Sequence, residues 1–221
     1  MILVGLAQPL AGVPLMEGMV QGTERVLRAG ESLTTPTTRA DLLFADGTLI
    51  RADRGSEFSF QMEREIILTR GALWLRVPAN SGGLDLRVDG LTVTGAGGSV
   101  VALRHGDGTL QFIALYHDPR GRLQVQGRGL APQALGIGQV LTITLADRRA
   151  KRLSVAQFVD LVPLLKSGLF DQLLTPTTPP TAATTLSPEL ATALIPALSE
   201  IRQALAHQGE LLSTGRLVRR P

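Results

Sequence analysis

Between about Val20 and Leu145 apolar and polar residues alternate with period two, and Gly interrupts the alternation roughly every 8–12 residues. Phe58, Phe60 and Met62 alternate, as do Leu73, Leu75 and Val77, then Leu84, Leu86 and Val88. Leu141, Ile143 and Leu145 face one way, with Thr142 and Thr144 facing the other. Successive strand side chains point to opposite faces, so each run presents one face to a core. Turn signals separate the runs at Asp46-Gly47, Gly55-Ser56, Arg70-Gly71, Ser81-Gly82-Gly83, Asp89-Gly90, Gly95 to Gly98, Gly106-Asp107-Gly108, Pro119-Arg120-Gly121 and Gly136 to Gly138. Asp-Gly between alternating runs is the strongest short hairpin signal, because a type I′ turn needs positive φ. About eleven or twelve short strands with no intervening helix select an all-β sandwich, barrel or β-solenoid. The expected fold is an all-β domain over 20–146, a two-layer sandwich or β-solenoid-like, followed by C-terminal helices.

Composition narrows the function. Of 221 residues, 44% are hydrophobic and 19% charged, so the chain can bury a core. The absence of Cys and the presence of only three His exclude zinc fingers, iron–sulfur clusters, thiol nucleophiles and disulfides. Aromatics at 4%, with one Trp and one Tyr, argue against base-stacking nucleic-acid modules. A net charge of +3, from 22 Lys and Arg against 19 Asp and Glu, is a weak pull on nucleic acid or an anionic membrane. Arg148, Arg149, Lys151 and Arg152 are more concentrated. They read as a solvated basic turn or, more sharply, as an anion contact for phosphate.

The ends have a different character. Residues 1–19 are an apolar lead-in or the remnant of a signal peptide whose start lies upstream, which would place the protein outside the cytoplasm or in the periplasm. No stretch has the roughly 18 uninterrupted apolar residues of a membrane-spanning helix. Residues 147–174 read as the basic turn and an amphipathic helix, with Ser154 to Gln157 as a capping box. Residues 175–186 form a Pro/Thr linker without apolar periodicity. Residues 187–213 read as a helix capped by Ser187-Pro188-Glu189, with Leu190, Leu194, Ala197, Ile201 and Leu205 on one stripe. Residues 214–221 are a basic tail.

The β segment resembles a known family through several short patterns in order. Val26-Leu27-Arg28-Ala29-Gly30-Glu31-Ser32-Leu33-Thr34-Thr35 and Arg39-Ala40-Asp41-Leu42-Leu43-Phe44-Ala45-Asp46-Gly47-Thr48-Leu49-Ile50-Arg51 carry the first two. Ile66 to Leu75, Val93 to Val100 and the closing strands Leu123 to Ile143 carry the rest, with Ser99 where Thr is usual. On these residues the chain resembles the FecR domain family, in the form common in cyanobacterial envelope proteins. The resemblance implies an all-β envelope module with no known catalytic residues, used in signalling by members that carry a transmembrane anti-sigma region. No segment here resembles that region, so the anti-sigma role does not carry over.

The remaining candidates weigh against catalysis. His105 with Asp107, and His117 with Asp118, lack a third ligand at fixed spacing and read as turn chemistry. The repeated Asp46-Gly47-Thr48 and Asp107-Gly108-Thr109 lack the further carboxylates of a calcium loop and read as hairpin turns. No lysine follows Gly95 to Gly98, which excludes a phosphate loop and leaves tight backbone packing. Trp74 lies on the opposite strand face from Leu73 and Leu75. It is either an exposed anchor for a sugar or protein, or part of a second buried face. The expectation is a non-enzymatic binding or scaffold protein without a cofactor. It would engage a protein partner or a second copy through the helix stripe Leu190, Leu194, Ala197, Ile201 and Leu205, with packing of that stripe back on the β domain as the other reading. Glycan or peptidoglycan binding at Trp74 is the alternative.

Overall fold

The computed structural model describes residues 17–20, 26–61, 64–95, 97–117, 123–146, 149–156, 169–170 and the helical residues 192, 194–197, 199–204 and 206. The all-β expectation holds, with fifteen strands among the described residues rather than eleven or twelve. They are β1 (Glu17–Val20), β2 (Val26–Arg28), β3 (Ser32–Thr35), β4 (Ala40–Leu43), β5 (Leu49–Ala52), β6 (Ser56–Gln61) and β7 (Glu65–Val77). There follow β8 (Leu84–Val88), β9 (Leu91–Gly95), β10 (Gly98–Arg104), β11 (Thr109–His117) and β12 (Leu123–Gly127). β13 (Leu130–Leu135), β14 (Val140–Ala146) and β15 (Arg149–Ala156) complete the set.

Two sheets enclose one apolar core. Sheet I runs β2-β1-β4-β5-β7-β10-β11-β14-β15 and sheet II runs β3-β6-β7-β8-β9-β12-β13. Every pairing among the described residues is antiparallel except β7 with β8. The long strand β7 belongs to both sheets: residues 65–70 pair in sheet II and residues 71–77 in sheet I. Arg70-Gly71, expected as a turn, is the bend between those halves. The register shifts there, and Gly71 has φ +86°. A Cβ on Gly71 would stand 2.6 Å from the Ser56 backbone, so only glycine fits.

Burial follows this layering. β6 and β8 alternate buried residues with half-buried or exposed ones, as strands covered on one face do. β5 and the second half of β7 are buried on both faces, because a further layer covers sheet I from outside. That layer consists of Leu169, Phe170 and the C-terminal helix, which cluster with Leu49, Trp74, Val101, Ile113 and Val140.

The hairpins refine the turn chemistry. Asp89 (φ +48°) and Gly90 (φ +80°) form the expected type I′ turn. At Asp46-Gly47 and Asp107-Gly108 only the glycine has positive φ. Gly47 and Gly108 donate to the carbonyls of Phe44 and His105, and Phe44 and His105 donate back to the carbonyls of Thr48 and Thr109. This is a type I turn followed by a bulge. In both turns the aspartate accepts from the threonine N–H, at 2.9 and 2.8 Å. That contact holds the Asp107 carboxyl below the usual range.

Two sequence readings are corrected. The capping box at Ser154 does not start a helix, since Ser154 to Ala156 end strand β15 and pair with Thr142 to Val140. Non-local strand pairing overrides a local capping signal of about 1 kcal/mol. The first described strand also starts three residues before Val20, at Glu17. The signal-like residues 1–16, the linker 175–186 and the tail 214–221 lie outside the described residues.

Candidate functional site

The polar groups of chemical interest lie on the outer face of sheet I. Cross-strand pairing places Asp41 beside Arg51, Arg51 beside Trp74, Trp74 beside Val101, Val101 beside Ile113 and Ile113 beside Val140. One row of the sheet thus grades from a carboxylate through a cation and an indole to aliphatic residues. Its order is a product of strand register alone.

Arg51 is fully buried. Its Nε donates to Asp41 Oδ1 at 2.6 Å and its Nη2 to Asp41 Oδ2 at 2.9 Å, a bidentate pair. Its Nη1 donates to the Leu169 carbonyl at 3.2 Å. The guanidinium also lies 5.7 Å from the Trp74 ring centroid, within cation–π range. Trp74 has 0% exposure. Its Nε1 donates to Ser99 Oγ at 2.8 Å, and Phe170 packs on it at 5.0 Å between centroids.

Trp74 is therefore part of a second buried face, and the reading of it as an exposed anchor is corrected. Sheet I is apolar on both sides, so its back must be covered. Ser99 is the residue that satisfies the indole N–H.

The helix stripe is also placed by the structure. Leu194, Ala197 and Ile201 are buried in the same layer as Trp74, together with Ala204. The expectation that this stripe is held for another protein or a second copy, and not for the chain's own β domain, is corrected. An amphipathic helix alone in water is marginal, and here the back of sheet I supplies its cover. Leu190 and Leu205 lie outside the described residues. Glu200 meets Arg76 across this seam, with Arg76 Nε at 3.0 and 3.1 Å from its two oxygens and Arg76 Nη2 at 2.9 Å. Burial pushes the Glu200 carboxyl up, and the Arg76 guanidinium only partly opposes it.

Of the basic cluster, Arg149, Lys151 and Arg152 belong to strand β15 instead of a turn, and Arg148 lies outside the described residues. His105 Nε2 is 3.2 Å from Gln111 Oε1, and Asp107 serves its turn. Asp118 lies outside the described residues. Among the described residues no three His, Asp or Glu side chains converge as a metal site. No described helix is long and apolar enough to cross a membrane. The cavity at the Gly95–Gly98 end of the core, between Leu75, Leu86 and Leu123, holds about 10 Å³. That is room for one water at most. A Cβ on Gly95 would meet Leu123 at 2.5 Å, which agrees with the packing role read for this glycine run.

The sequence reading missed Arg51, Asp41 and Arg76 as a group. The alternation of Asp41 and Arg51 with Leu42 and Ile50 is the available signal for a shared face.

No family model matches the chain. No curated protein matches it. Two crystal structures of a candidate anti-sigma factor from Parabacteroides distasonis are similar to it, at 10% and 11% identity, each with a TM-score of 0.49. The likeness covers 59% of this chain and 61% of the neighbour, so it spans less than two thirds of that protein.

Proposed function

We propose that the chain is a non-catalytic protein-binding module of the FecR type, working in the cell envelope. Its two-sheet domain is the platform, and the segment docked on sheet I takes part in engaging a protein partner. One observation carries this reading: Arg51, Trp74 and Arg76, which lie on the face that segment covers, each hold another part of the chain. Arg51 holds Asp41 and the Leu169 carbonyl, Trp74 holds Ser99, and Arg76 holds Glu200. Acid–base or nucleophilic catalysis needs such groups turned toward a substrate. The envelope setting rests on the sequence resemblance alone. The glycan alternative leaned on an exposed Trp74, and a fully buried ring cannot stack on a sugar.

Cross-linking in the cells that make the protein, read by mass spectrometry, tests the proposal. Reproducible adducts to one protein, in near-stoichiometric yield, are expected. Binding of cell-wall glycan fragments with no protein adduct overturns it.

A further inference from the structure

The core between the sheets joins apolar residues with a few neutral groups such as Thr35 and Ser56, whereas the C-terminal layer is tied to sheet I by charged donors, Arg51 to the Leu169 carbonyl and Arg76 to Glu200. Buried charge is a poor way to stabilise a permanent core. Interfaces between separable parts of a chain are more polar than cores. The C-terminal helix fits its seat by a readable code. Leu194, Ala197, Ile201 and Ala204 face in at helical spacing, the two alanines allow close approach, and Glu200 meets Arg76. Ile195 stays 68% exposed on the opposite side.

We propose that the outer face of sheet I is a helix-accepting groove with an exchangeable occupant. At rest it holds the chain's own C-terminal helix. A partner protein displaces that helix with an amphipathic helix of the same code, carrying a glutamate just before its central large apolar residue. Arg76 supplies the charge complement. This rests on the protein-binding reading and names its surface.

The tether decides the competition. A helix joined by a chain segment of this length sits at an effective concentration on the order of 1 mM. A free helix of equal affinity at about 1 μM would therefore fill roughly one site in a thousand. Loosening the chain's own helix should uncover the groove.

The probe is a labelled synthetic peptide of residues 187–208, titrated into the full chain. Glu200→Lys sets a second cation against Arg76 and should raise peptide affinity at least 100-fold over the wild type. Ile201→Asp, which removes an apolar anchor instead, should do the same. Arg76→Glu introduced into the Glu200→Lys chain should restore docking in cis and abolish the gain. Equal peptide affinity in wild type and both variants overturns the inference, as does a loss of strand signal in both variants. If cross-linking still returns one protein partner, the protein-binding reading stands without it. Dimerisation of the wild type by helix exchange, seen by light scattering, would give the groove to a second copy and overturn the choice of partner.

Discussion

The backs of the two sheets are built from the same alternating strands and end in opposite states. On sheet II, pairing lines up Glu65, Asp85, Thr94 and Gln124 in one polar row, all half-buried and facing outward. On sheet I the corresponding row is Arg51, Trp74, Val101, Ile113 and Val140, all buried. Strand β7 contributes to both rows, with Glu65 at one end and Trp74 at the other. A polar back is stable in water as it stands. An apolar back requires another layer, and the C-terminal segment supplies it. Architecture and candidate function therefore meet on sheet I.

The largest effect should come from emptying the covered back. Trp74→Ala removes a fully buried indole and should cost about 3–5 kcal/mol in denaturant unfolding. Thr94→Ala on the back of sheet II should stay within about 0.5 kcal/mol. Equal costs at the two positions would erase the distinction between the faces.

Arg51→Met sharpens the same contrast by leaving the buried Asp41 with only the more distant Arg39, at 3.9 Å, and should cost about 3 kcal/mol. The double variant Arg51→Met with Asp41→Leu should recover most of that loss, because both charges are gone. Hydrogen exchange should show the C-terminal segment loosening more than the inter-sheet core in the single variant. Uniform loosening would mean that Arg51 supports the whole sandwich.

The smallest effect is a pH dependence. The docked Glu200 carboxyl keeps its proton to higher pH than a free one, so docking takes up a proton. Its contribution is complete below the ordinary carboxylate range, about pH 4, and is lost as pH rises through the raised value. Arg76, facing it from β7, limits the loss. Glu200→Gln should thus gain thermal stability relative to the wild type between pH 4 and pH 7. A difference that stays flat with pH would show that burial does not disfavour the ionised carboxylate.

Period-two alternation by itself determined the strands and the inward residues, such as Phe58 and Phe60 or Leu73 and Leu75, because side-chain direction along a strand is local geometry. Spacing of three and four residues likewise determined the helix stripe around Leu194 and Ile201, and Gly and Asp-Gly pairs marked the turns. The tertiary structure decided the rest. Only strand register set Asp41, Arg51 and Trp74 side by side, since no short-range rule relates residues on three strands. The bend at Gly71 and the strand at Ser154 were misread locally because both depend on pairing with distant partners. The helix stripe announced that it needed cover, but the sequence did not say which surface would provide it. That depended on the back of sheet I being apolar as well, a property that exists only once β5, β7, β10, β11 and β14 are aligned.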